Sequence, residues 1–132
     1  MEGKTQNGFS SLALEHAERP RNRGIPEAFD AHARITGPCG DTMEFWLVIR
    51  DGVVHSAWFD TDGCRSSIAC GSMAAFLAED ESLEECGAMS PREILRALGG
   101  IPAQGEHCAL LAANTLRAAC KDYAARTARG NT

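Results

Sequence analysis

Six cysteines carry the chemistry that this chain of 132 residues offers: Cys39, Cys64, Cys70, Cys86, Cys108 and Cys120. No two are three apart, which removes the CxxC redox motif and the paired-CxxC zinc ribbon. Three of them stand beside other donors or turn glycines. These are Gly37-Pro38-Cys39-Gly40-Asp41, Asp62-Gly63-Cys64 and the adjacent pair His107-Cys108. Three thiolates favour zinc or an iron–sulfur cluster over hard cations, and either takes about four protein donors. If the last helix starts beside the other donor loops, five candidates compete for four places: Cys39, Asp41, Cys64, His107 and Cys108. Cys64 and Cys108 each fall at a predicted helix start, where the dipole and free N–H groups lower a thiol's pKa. Neighbours at a helix start aim poorly at one atom, so Asp41 and His107 are expected to alternate in the fourth place. A carboxylate is a hard, weak partner for cluster iron. A site built with one holds its cluster loosely, as a carrier must.

The other three cysteines are expected to pack as small hydrophobes. Cys70 lies roughly 9 Å along a helix from Cys64 and about 240° around it. Cys120 is three turns beyond Cys108, and Cys86 belongs to a short helix with no other ligand nearby. His16 is expected to be an exposed helix residue, and His32 and His55 to face solvent from strands.

The elements that must position these donors follow from the pattern. Phe9 to Glu18 reads as a short helix stopped by Pro20, followed by an irregular basic loop, Arg19 to Gly24. Ala31 to Thr36 alternates as a half-buried strand. Phe45 to Ile49 is aromatic and β-branched, and Asp51-Gly52 turns it into a return strand, Val53 to Asp60. In such a meander the first and third strands run the same way. Their ends share one edge of the sheet, which brings Cys39 and Asp41 close to Cys64. From Cys64 the chain turns helical, with Ile68, Ser72, Ala75 and Phe76 as the expected inward stripe to about Ala78. Ser82-Leu83-Glu84-Glu85 and Ser90-Pro91-Arg92-Glu93 read as capping boxes. A last helix runs from near Glu106 to about Arg126, with Leu110, Ala113, Leu116, Cys120 and Tyr123 along one face. The class is α+β: a three-stranded antiparallel sheet with helices packed on one face.

Composition narrows the function. The length suits one domain over 1–132, with a core over about 9–125 and short flexible tails. A net charge of −5 argues against a nucleic-acid partner. The longest apolar runs fall far short of the ~18 residues of a membrane span. The opening MEGKTQNGFS lacks the apolar core of a signal peptide, so a cytoplasmic setting is expected, where a disulfide framework is disfavoured.

At these residues the sequence resembles the IscU/NifU-type iron–sulfur cluster assembly scaffolds. The resemblance rests on His16-Ala17-Glu18-Arg19-Pro20-Arg21-Asn22, Gly37-Pro38-Cys39-Gly40-Asp41, Gly63-Cys64 through Ser66-Ser67-Ile68-Ala69, Glu106-His107-Cys108-Ala109-Leu110-Leu111-Ala112 and Leu116 to Tyr123. It spans about residues 9 to 125 in order. It implies a non-enzymatic scaffold on which a [2Fe–2S] cluster is built from iron, delivered by an iron donor, and persulfide sulfur from a cysteine desulfurase. The cluster then passes to apo iron–sulfur proteins. It further implies Cys39, Cys64 and Cys108 as ligands and persulfide acceptors, with Cys108 the first acceptor. Asp41 would be the labile carboxylate and His107 the alternative ligand. Two departures stand out. Ile101-Pro102-Ala103-Gln104-Gly105 replaces the Leu-Pro-Pro-Val-Lys-like segment read by a specialised chaperone, so the chaperone interaction does not carry over. Arg65 replaces the small residue that usually follows the second cysteine.

A second reading is a zinc-binding sulfur acceptor that activates a cysteine desulfurase with the same donors. Proteins of that kind carry an insertion between the second and third cysteines, and no insertion is evident between Cys64 and Cys108. Zinc also competes for such a site in a purified sample. A thiol oxidoreductase or zinc hydrolase lacks its motif here.

Overall fold

The computed structural model describes residues 5–6 and 8–130. Most of the expected N-terminal tail and the last two residues lie outside the described residues. The chain opens with a small antiparallel pair that sequence periodicity does not announce, β1 (Thr5–Gln6) and β2 (Phe9–Ser10). Helix α1 (Ser11–Glu18) therefore begins two residues later than expected. Ser10 caps it by accepting a hydrogen bond from the Ala13 N–H at 3.0 Å, which satisfies one of the first orphan donors.

The main sheet is a meander of β3 (Ala31–Thr36), β4 (Thr42–Arg50) and β5 (Val53–Thr61), antiparallel throughout and in the order β3-β4-β5. Asp51 and Gly52 close the β4–β5 hairpin with φ of 54° and 77°. Both central residues are left-handed, the backbone that an Asp-Gly turn supplies. The inward face presents Ala31, Phe45, Leu47, Ala57 and Phe59, all fully buried. Both sheet edges are covered. The Asp122 carboxylate accepts the His32 N–H, and the Arg19–Gly24 loop lies along β5, where the Gly24 N–H donates to the Phe59 carbonyl at 2.8 Å. That loop is thus irregular but anchored.

Helix α2 (Arg65–Ala78) runs through the centre of the molecule and packs on β5, α1 and the last helix. Gly71 permits the closest approach, since a Cβ there would lie 2.5 Å from Cδ2 of Phe59. Because α2 is covered on two sides, its buried set is broader than one stripe, and Phe76 falls outside it. Phe76 is 46% exposed, beneath the Arg21 guanidinium at 4.7 Å. His16 corrects the expectation of exposure: α1 lays it on α2, where it is buried and its Nδ1 lies 2.7 Å from the Ser72 hydroxyl. His32 lies on the outer face of the sheet as expected but is half-buried there, stacked on Trp46 and bonded to Glu44 at 2.8 Å.

Short helices α3 (Leu83–Cys86) and α4 (Pro91–Leu98) follow, with Ser82 and Ser90 accepting from the N–H groups of Glu85 and Glu93 as capping serines. A 3-10 turn (Ala103–Gly105) leads into α5 (His107–Gly130), which packs on β3 and β4 and extends four residues past the expected end. Leu110 does not join its buried face. It is 49% exposed, while Leu111, Ala112, Ala113 and Leu116 carry the packing. No described helix is long and apolar enough to cross a membrane.

Candidate metal centre

The three donor segments meet at one edge of the sheet because hydrogen bonds tie their loops together. In the β3–β4 turn the Gly37 N–H donates to the Asp41 carbonyl at 2.8 Å, and the Gly40 N–H donates to the Gly37 carbonyl at 3.0 Å. Gly40 has φ of 96°, a conformation that side chains resist. This turn leaves Cys39 exposed at its tip and Asp41 half-buried at its base. The β5–α2 loop is fastened to it: the Asp62 carboxylate accepts the Thr42 N–H at 2.8 Å, and the Thr61 hydroxyl donates to the Thr42 carbonyl at 2.6 Å. Cys64 then stands at the N-cap of α2. The turn before α5 docks on the same helix end, because Gly105 lacks the Cβ that would overlap the Ser66 side chain.

All five expected donors come together. The ligand atoms of Cys39, Asp41 and His107 lie within 4.8 Å of one another, and so do those of Asp41, Cys64 and Cys108. Asp41 belongs to both groups. His107 and Cys108 fall in different groups, although Nε2 of one lies 3.7 Å from Sγ of the other. Gly63 makes room at the centre. A Cβ there would lie 2.8 Å from Oδ2 of Asp41 and would overlap the Ser67 hydroxyl.

The two helix-start thiols differ in a way their positions do not reveal. Burial pushes the Cys64 thiol up, but hydrogen bonding outweighs it. The Ser67 and Ser66 backbone N–H groups, then the Ser67 hydroxyl and the Cys108 thiol, bring Cys64 below the usual thiol value. Cys108 goes the other way. It is fully buried, and burial pushes its thiol up to about 11, opposed by the Ser67 hydroxyl and reinforced by the nearby Cys64 and Asp41 charges. Desolvation of the thiolate exceeds what one helix end supplies. Ser67 joins these donors, its hydroxyl reaching Asp41 and Cys108. Nothing in the sequence separates it from Ser66, because only the packing of three elements turns it inward.

The remaining cysteines pack. Burial, with the charges of Cys108 and Cys64, raises the Cys70 thiol well above its usual range. The Cys86 thiol donates to the Ala78 carbonyl at 3.3 Å and is pushed up to about 12 by burial, then by Cys120. Cys86 therefore has a thiol neighbour, contrary to expectation. Burial pushes Cys120 up to about 11. All six cysteines are free thiols.

Residues 9–130 match the NifU-like N terminal domain family. The chain is 36% identical over 116 residues to the iron–sulfur cluster assembly scaffold protein IscU 1 of Archaeoglobus fulgidus, covering 87% of this chain and 76% of that protein. It is 34% identical over 123 residues to the IscU scaffold protein of Haemophilus influenzae, covering 89% and 97% respectively. The fold is similar to a NifU-like protein (N-terminal) from Brucella abortus, with a TM-score of 0.70 over 86% of this chain and 92% of that one at 18% identity. The meander, the helix-start thiols and the sequence likeness agree, and the chain belongs to the family of NifU-like N-terminal domains.

Proposed function

We propose that this chain is a scaffold, not an enzyme, on which a [2Fe–2S] cluster is assembled and from which it passes to apo iron–sulfur proteins. Iron and sulfur are its cargo, the sulfur drawn from a cysteine desulfurase. The observation that carries this reading is the pair of three-donor groups joined through Asp41. A two-iron unit needs two adjacent sets of ligands, and one hard carboxylate shared between them is the weak member that lets the unit leave. Cys39, Cys64 and Cys108 are the thiolate ligands in this account. Asp41 takes the fourth place, and His107 stands within reach to replace it. The named roles of similar IscU proteins support the scaffold reading, and six free thiols fit a reducing, cytoplasmic setting. Zinc suits the same donors and competes with iron for them.

Cys108 serves as a persulfide acceptor only when its fully buried thiol is uncovered. The direct test is replacement of Asp41. With Asp41→Ala the softer imidazole of His107 takes the fourth place, and a reconstituted cluster is lost to a chelator more slowly than from the unmodified protein. Loss at the unmodified rate or faster would show that the carboxylate is not the labile ligand.

A further inference from the structure

Asp41 and Cys108 come from different elements, the β3–β4 turn and the first turn of α5, and one hydroxyl touches both. Oγ of Ser67 donates to Oδ2 of Asp41 at 3.2 Å and lies 3.2 Å from Sγ of Cys108. Ser67 is fully buried on the first turn of α2. A helix hydroxyl commonly bonds back to a carbonyl four residues earlier, as Thr115 does to Leu111 at 2.7 Å. Ser67 instead points across to the two donors. The space it uses exists because Gly63 has no Cβ to fill it.

We propose that Ser67 is a positioning residue for the donor set, its hydroxyl fixing Asp41 relative to Cys108 so that both face one metal. The proposal rests on the scaffold reading of this site. A hydroxyl has one proton to give and two lone pairs. With the thiols protonated the acceptor-only carboxylate takes that proton and a Cys108 S–H donates to the same oxygen, which also lies within hydrogen-bond reach of Cys64. When metal replaces the thiol proton, the bond to Asp41 survives and continues to aim its second oxygen. Without the hydroxyl, Asp41 is free to turn to solvent. Removing a group that orients a metal ligand costs about 10–100-fold in affinity.

Anaerobic Co2+ titration tests this, with Co2+ as the probe and the thiolate-to-cobalt charge-transfer band as the signal. Ser67→Ala is expected to weaken Co2+ binding at least about tenfold with the thermal midpoint unchanged, and Ser67→Thr to restore it. In an Asp41→Ala background the same Ser67→Ala change is expected to cost clearly less, because the carboxylate it orients is already gone and only its contacts to the thiols remain. Equal losses in the two backgrounds, or unchanged affinity in Ser67→Ala, would overturn the proposal. Should the extra methyl of Ser67→Thr prevent folding, the comparison of the two backgrounds decides alone. If the unmodified chain takes neither Co2+ nor a cluster, the scaffold reading falls and Ser67 with it. If it builds a cluster while Ser67→Ala binds Co2+ normally, only Ser67 falls.

Discussion

In the resting, metal-free protein the thiols at the donor edge should react in a fixed order, with Cys64 ahead of Cys108. The perturbation is a short pulse of iodoacetamide under anaerobic conditions. A thiol with pKa about 11, as for Cys108, is about one part in ten thousand thiolate at pH 7. One below the ordinary value of 9.0, as for Cys64, is at least about one part in a hundred. The ratio of reactive species is then about a hundredfold. A more basic thiolate is the better nucleophile, which returns about tenfold over two pKa units. At least about tenfold in rate remains for Cys64 from the chemistry, and the complete burial of Cys108 widens the gap. Peptide mass spectrometry after a pulse series, repeated from pH 6 to pH 10, reads both rates. The Cys64 rate bends over at a lower pH than the Cys108 rate, which still rises at the top of the range. Equal alkylation of the two in folded protein at pH 7 would refute the assignment of Cys108 to a dry, protonated setting.

Further outcomes follow from other contacts. Gly63→Ala forces a Cβ against Asp41 and the buried Ser67, so Co2+ titration should show binding lost, and thermal unfolding a lowered midpoint. Gly71→Ala gains up to about 1 kcal/mol of helix propensity but forces a Cβ against Phe59. Overpacking costs about 1–3 kcal/mol, so denaturant unfolding should show net destabilisation, and a more stable variant would contradict the packing described. Burial, followed by Arg21, holds the His16 imidazole below its usual 6.5 against the opposing pull of Glu15. The unfolded chain therefore binds the extra proton first, and stability falls as pH drops through about 6.5. Unfolding curves at pH 7.5 and pH 5.5 should show this, and His16→Gln should lessen the dependence.

Much of this was legible in the sequence where one local rule governs. The Asp51-Gly52 turn, the meander and the two capping serines follow from turn and cap chemistry. Their topology then brings Cys39 and Asp41 to the same edge as Cys64, while the meander alone does not place the candidate donors His107 and Cys108 there. What escaped depends on more than one element at once. His16, Phe76 and Leu110 lie on helices covered from unexpected directions, so a single apolar stripe misassigned their faces. The difference between Cys64 and Cys108 is a contest between a helix terminus and burial, and only the fold decides the winner. Ser67 acquires its partners from the β3–β4 turn and α5, neither of which its own helix reveals.

The central claim is that the edge formed by Cys39, Asp41, Cys64, His107 and Cys108 builds a two-iron cluster. The measurement that tests it most directly is anaerobic reconstitution with ferrous iron, cysteine, a cysteine desulfurase and excess dithiothreitol to reduce persulfide sulfur to sulfide, followed by iron and acid-labile sulfide analysis and Mössbauer spectroscopy. The account predicts iron and sulfide in equal amounts, in a two-iron centre that is absent when Cys39, Cys64 or Cys108 is replaced by serine. Folded protein that takes up iron without sulfide, or forms the same centre with those cysteines replaced, would contradict it.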